Sequence, residues 1–160
     1  MWWVPPKTSV GKVIASFRSL GPEPFSDAFS TTYLIEQLQR SKRPIKVALL
    51  DQRLVAGIGN IYADEGLFQA KVLPQSACYK LSKQQIDRLR LSLINVLKQG
   101  IRAGGTTFRD FRNLEGVNGN YLSQAWVYRR NNQPCRICGT QICRTYLAGI
   151  CTVLSACTLR

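Results

Sequence analysis

The chain has 160 residues, enough for one ordinary domain or two small ones, and carries 22 Lys and Arg against 9 Asp and Glu, a net charge of +13. That excess favours a polyanionic partner, nucleic acid before an anionic membrane surface. No apolar run is long enough to span a bilayer, the opening MWWVPPKTSVGKV lacks the basic-then-apolar order of a signal peptide, and the absence of His removes the commonest general base and the usual nitrogen ligand of zinc. The setting inferred is cytoplasmic and reducing, where cysteines bind metal more readily than they pair.

In chain order, residues 1–22 read as a fragment rather than a start. Trp2-Trp3-Val4 is apolar and β-prone, Pro5-Pro6 ends it, and a single strand needs a sheet elsewhere. Gly21-Pro22-Glu23-Pro24 is a turn or linker. Residues 27–40 predict a helix capped by Ser30 or Thr31, with Tyr33, Leu34, Ile35 and Leu38 inward. Ser41-Lys42-Arg43-Pro44 breaks it, and Pro44 suits the first position of the next helix.

From Pro44, PIKVALLDQRLVAGIGNIYADEGLF predicts two short helices joined by a glycine-bearing turn. Ile45, Ala48, Leu49 and Leu54 supply an apolar face, and Gly57 and Gly59 supply backbone freedom. Asn60 is the expected N-cap of the second helix, with Asp64 and Glu65 suiting the positive end of its dipole. A helix start with open N–H groups, an Asn and nearby Lys and Arg side chains is a candidate phosphate site. The pattern equally fits an ordinary helical hairpin packed through its glycines.

Residues 82–103 predict the longest helix, with Ile86, Leu89, Leu93, Ile94, Leu97 and Ile101 on its core face, a Ser82–Gln85 capping box and a Gly104-Gly105 stop. TTFRDFRNLEGVNGNYL at 106–122 is long for a connection and reads either as a functional loop or as surface slack. Residues 116–160 contain no Asp or Glu, while Arg129, Arg130, Arg136, Arg144 and Arg160 interleave with Trp126, Tyr128 and Tyr146. Residues 124–128 look like a strand, 135–139 like a tight turn, and the whole like a small β module lying on a polyanion.

Cys135-x-x-Cys138-Gly139 is half of a zinc knuckle; a redox pair or two incidental thiols explain it nearly as well. No second Cys-x-x-Cys follows. Cys151 and Cys157 could complete a four-ligand set with Cys135 and Cys138, at an unusual spacing.

SLGPEPFSDAFS, KRPIKVALLDQRLVAGIGNIYADEGLF, GTTFRDF and VYRRNNQPCRICGTQI closely resemble the formamidopyrimidine-DNA glycosylase family, 8-oxoguanine DNA glycosylases of the helix–two-turn–helix superfamily, over residues 2–149. The resemblance implies a mainly α fold, a helix–two-turn–helix domain followed by a small β-hairpin module like a zinc finger. It divides the chain into 1–22, the remnant of an N-terminal β-sandwich, then 23–122, then 123–160, divergent after 149. It implies base-excision repair: flipping an oxidised purine out of duplex DNA, cleaving its glycosidic bond, and nicking the abasic site through a Schiff base. The partner would be double-stranded DNA holding an oxidised base or abasic site, bound by a monomer. By matching positions, Lys46 and Asn60 would grip phosphates beside the flipped nucleotide, Gly59 would admit close backbone approach, and Arg109 would reach DNA from a loop, 106–121, that closes over the damaged base. Cys135 and Cys138 match the first half of the family's finger, which implies one structural Zn2+; Cys151 and Cys157 are the candidates of this sequence for its other two ligands.

The chain also departs from the family. The family's nucleophile is an N-terminal proline beside a Glu; here Pro5 and Pro6 are internal, and an amide nitrogen cannot form an imine, so no catalytic residue is assigned and the expected activity is DNA binding without glycosylase or lyase chemistry. After Gly149, Ile150 stands where the family has a phosphate-binding Arg, and Ser155 and Thr158 stand where it has its third and fourth cysteines. Another reading frame through Thr152–Ala156 can encode Cys-Pro-x-Cys. The alternative function is a non-catalytic nucleic-acid-binding module, since the same helical motif occurs in an RNA-binding ribosomal protein.

Overall fold

A computed structural model describes residues 19–105 and 121–155. The expectations placed on Trp2, Trp3, Pro5, Pro6, Arg109 and the rest of 106–120, Cys157 and Thr158 lie outside these residues. The described chain is mostly helical and ends in a two-stranded antiparallel hairpin.

Helix α1 is Thr31–Gln39. It starts four residues later than its pattern predicts because Ser30 caps it, its Oγ accepting from the Tyr33 N–H at 3.1 Å. Leu34 and Leu38 are buried, and the Thr31 hydroxyl donates to the Asp87 carboxylate. Helix α2, Ile45–Leu49, follows Pro44, which sits at its N-cap rather than inside it. After an irregular stretch comes α3, Asn60–Ala70, ended by Lys71 in the left-handed region with its N–H turned back on Leu67 and Phe68.

Helix α4, Lys83–Arg102, carries the expected Ser82–Gln85 box in both directions, and Gly104 and Gly105 end it at φ 74° and 92°. Its buried face is Ile86, Leu89, Leu93, Val96 and Gly100. Ile101, assigned inward from its spacing, is instead 66% exposed, and Gly100 takes the last core position. The reason is steric: Tyr62 of α3 lies where a Gly100 side chain would be, and a methyl on Gly66 would meet Leu93 Cδ2 at 2.6 Å. The two glycines let α3 and α4 approach closely and form the main helix contact.

Helix α5 is one turn, Tyr121–Gln124. The strand expected at 124–128 does not form; the segment turns, and its N–H groups go to a side chain of α3. Strands β1, Cys143–Leu147, and β2, Ile150–Leu154, pair antiparallel with Leu147 opposite Ile150. Ala148 and Gly149 turn between them at φ 50° and 77°, the signature of a tight hairpin. A small second core joins Phe68 of α3 to Val127, Cys135, Ile142 and Val153, with the Trp126 ring 6.2 Å from Phe68. The larger core lies among α1 to α4. Helix α3 therefore belongs to both.

Candidate nucleic-acid interface

The start of α3 is the site the sequence points to, and the structure changes its parts. Gly59, not Asn60, is the N-cap, and no side chain caps it; the first helical bond is Ala63 N–H to Gly59 C=O at 2.9 Å. The N–H groups of the first turn thus open outward without an acceptor from their own cap. Of the two glycines, Gly57 is required by the turn, at φ 81°. Gly59 is not: at φ −106° and ψ 178° any residue is comfortable, and an added Cβ would meet nothing within 4 Å among the described residues. A glycine where Ser, Thr or Asp would stabilise the helix, with open space where its side chain would stand, leaves room for an anion to reach the N–H groups. Asn60 is the first helical residue, and its Oδ1 is buried with no hydrogen-bond partner among the described residues.

Upstream, Arg43 pairs with Asp51 at 2.8 Å, and Asp51 also accepts the Arg53 N–H at 3.1 Å. The Arg43 hydrogen bond is the main reason the Asp51 carboxyl is held below its ordinary pKa. The Gln52 side chain lies over the glycine turn. Its Oε1 accepts from the Gly57 N–H at 2.8 Å, and its Nε2 donates to Ile58 C=O at 3.0 Å.

Lys46 lies beneath this surface rather than on it. Its side chain is fully buried; Nζ is 2.7 Å from Asp64 Oδ1 and donates to Cys151 C=O at 2.6 Å. No ammonium is offered to solvent there. Burial lowers the Lys46 pKa against the pull of Asp64, and burial raises Asp64 to about 6 despite the opposing influences of Lys46 and of the Val153 backbone N–H. The amphipathic spacing of α2 could not show this, because the partner is on another helix and the lid is the terminal hairpin.

Asp64 and Glu65 do not serve the helix dipole. The first turn of α3 holds no acid, and both residues are buried in the next. The Glu65 carboxylate accepts three backbone N–H groups, from Trp126 at 2.8 Å, Val127 at 2.9 Å and Tyr128 at 2.8 Å. This clamp ties the C-terminal module to α3, and sequence reasoning missed it. The available signal was a pair of acids inside an otherwise apolar helix, facing a C-terminal segment without any acid.

The Tyr121 N–H donates to Gly105 C=O at 3.3 Å, joining the two residues that flank 106–120. The Tyr121 ring is buried 5.4 Å from Tyr62, and burial raises its hydroxyl pKa well above the ordinary value.

The knuckle has the local form of a thiolate site. Cys135 Sγ accepts the Ile137 N–H at 3.5 Å, Gly139 turns at φ 72° and donates to Cys135 C=O at 2.9 Å, and the Cys135 N–H donates to Thr140 C=O at 2.8 Å. Arg136 fastens it to α5, donating to Ser123 C=O at 3.0 Å and Gln124 C=O at 3.2 Å. Cys151 sits on β2, with its carbonyl on Lys46. Among the described residues no three Cys, Asp or Glu side chains gather to hold a metal. The described residues therefore fit half of a four-ligand zinc site and no more. On β1, exposed Tyr146 lies 6.0 Å from the Arg144 guanidinium. No described helix is long and apolar enough to cross a membrane.

A family model described as the formamidopyrimidine-DNA glycosylase H2TH domain matches residues 20–112. The chain is 60% identical over 149 residues to a formamidopyrimidine-DNA glycosylase of Parasynechococcus marenigrum (strain WH8102), covering 93% of this chain and 54% of that protein. It is 57% identical to one from Acaryochloris marina (strain MBIC 11017), covering 93% and 52%. The chain thus spans about half the length of the curated relatives it matches. Among solved structures, the MutM (Fpg) protein from Thermus thermophilus superposes with a TM-score of 0.86 at 38% identity, covering 94% of this chain and 57% of that one. The Lactococcus lactis Fpg, solved with DNA containing an abasic site, gives 0.85 at 33% identity, covering 94% and 56%.

Proposed function

Since this chain belongs to the formamidopyrimidine-DNA glycosylase family, we propose that it supplies the damaged-DNA-binding half of base-excision repair of oxidised purines. The observation that carries the reading is the uncapped start of α3 at Gly59–Asn60. A duplex phosphate seats there on open backbone N–H groups, with the Asn60 side-chain amide donating beside them. Lys46 supports this surface from below through Asp64. Arg109 binds DNA and the 106–121 loop matches the one that closes over the damaged base in the family, and Cys135 and Cys138 supply two thiolates of a finger-like module carrying a structural zinc in the family. The helix–two-turn–helix assignment, with bounds 23–122 and 123–160, belongs to the same reading. Pro5 and Pro6 are given no catalytic role, because each follows another residue and its nitrogen is an amide.

Asn60→Ala is the direct test. A hydrogen bond to a charged group contributes about 1.5–3 kcal/mol, so affinity for a short duplex with an abasic-site analogue falls roughly tenfold or more. The melting temperature stays near wild type, because Asn60 caps nothing. Fluorescence anisotropy at fixed salt reads the affinity. Unchanged affinity with an intact fold removes the phosphate from this site.

A further inference from the structure

We infer that Gln52 is a positioning residue for phosphate binding at α3, acting through the turn and not on DNA itself. The inference rests on the phosphate site proposed at Gly59–Asn60. Gln52 is exposed and contributes nothing to either core. Yet both ends of its amide are used on consecutive residues, on the peptides that flank the Gly57–Ile58 bond: Oε1 takes the Gly57 N–H, and Nε2 gives to Ile58 C=O. These peptides lead directly into Gly59 and the open N–H groups of Asn60 and Ile61.

The turn needs this bracket because Gly57, in the left-handed region, has no side chain to restrict it, and neither does Gly59. Val55 and Ile58 anchor the segment from beneath by burial, which fixes position better than it fixes the rotation of peptide planes. Gln52 is itself held, its C=O accepting the Gly21 N–H at 2.8 Å and its Nε2 reaching Leu50 C=O at 3.4 Å. An amide that donates at one end and accepts at the other is the side chain that can close both peptides at once. The energetic role is preorganisation. With the bracket in place, a phosphate meets N–H groups already aimed; without it, binding must first order the turn.

Three variants separate the possibilities: Gln52→Ala, Gln52→Met, which keeps the length and loses both hydrogen bonds, and Asn60→Ala as control. The full chain is titrated with the abasic-analogue duplex across a salt series, and amide hydrogen exchange is followed at Gly57. Both Gln52 variants are expected to weaken binding three- to tenfold, to speed Gly57 exchange selectively, and to leave the slope of log affinity against log salt unchanged, since no phosphate contact is removed. Wild-type affinity in Gln52→Ala and Gln52→Met, with Asn60→Ala weakened, overturns the positioning role alone. Wild-type affinity in all three overturns the phosphate site as well. Weak binding by Gln52→Ala with general loss of exchange protection, unmatched by Gln52→Met, assigns the effect to stability and also overturns the inference.

Discussion

Glu65→Ala is expected to lower the free energy of unfolding by about 3–6 kcal/mol and to undock the C-terminal module, the largest single-residue effect expected here. The carboxylate is fully buried and accepts the N–H groups of Trp126, Val127 and Tyr128. A buried donor left without a partner costs about 1–3 kcal/mol, three are orphaned together, and the alanine leaves a void in place of a side chain. Water entering the void relieves part of this, which keeps the sum below the simple total. Glu65→Gln should fall between, because its oxygen still serves Val127 and Tyr128 while its NH2 faces the Trp126 donor. Chemical denaturation reads the total. Hydrogen exchange at 126–128 locates it, and a wild-type exchange pattern in Glu65→Ala would show that the clamp is not what holds the module.

Lys46→Met is expected to destabilise the protein by about 3–5 kcal/mol, as removal of one member of a buried ion pair does. Asp64 would then be buried beside Cys151 and Val153 without its cation. The pH dependence follows from the direction of the shifts. The Asp64 pKa in the folded state, about 6, lies above the ordinary value of 3.8. Between these values the folded state holds the proton more tightly than the unfolded, so stability declines as pH rises through the window and levels off above it. In Lys46→Met the favourable influence of the ammonium is gone, so the decline extends to higher pH. Lys46 runs the other way: its folded pKa is lowered, and the associated penalty is relieved as pH rises toward the unfolded value. Replacing both residues by apolar ones of similar size should recover most of the loss. Denaturant midpoints from pH 4 to 9 for the wild type, Lys46→Met and the Lys46→Met/Asp64→Leu pair test this. A single variant as stable as wild type would show that the pair contributes nothing.

What could be read from the sequence was what depends on nearest neighbours along the chain. The Ser82–Gln85 box, the Ser30 cap, the glycine stop after α4 and the tight turn at 135–139 form as their residue types dictate. What could not be read depends on partners far away in sequence. Lys46 has an amphipathic residue's address on α2, and only the arrival of Asp64 and the terminal hairpin takes it inside. Residues 124–128 have strand composition but no strand partner among the described residues, and Glu65, about sixty residues upstream, claims the N–H groups of Trp126, Val127 and Tyr128 instead. Ile101 keeps the core period to the end of α4 but is displaced from the core by Tyr62 closing over Gly100. The glycines of the turn looked equivalent, yet Gly57 answers to backbone geometry and Gly59 to nothing among the described residues.

That unexplained glycine joins the fold to the function. Helix α3 offers an uncapped start to an anion, and its middle turns hold Lys46 through Asp64 and the C-terminal module through Glu65. The proposed DNA site and the docking of the hairpin therefore share one helix. The most direct test is binding of the wild-type chain to two duplexes of identical sequence at one fixed salt concentration, one carrying an abasic-site analogue and the other undamaged. The account predicts tighter binding to the damaged duplex, with both affinities falling steeply as salt is raised. Equal affinity for the two duplexes would contradict it, leaving a basic module that holds DNA without reading damage.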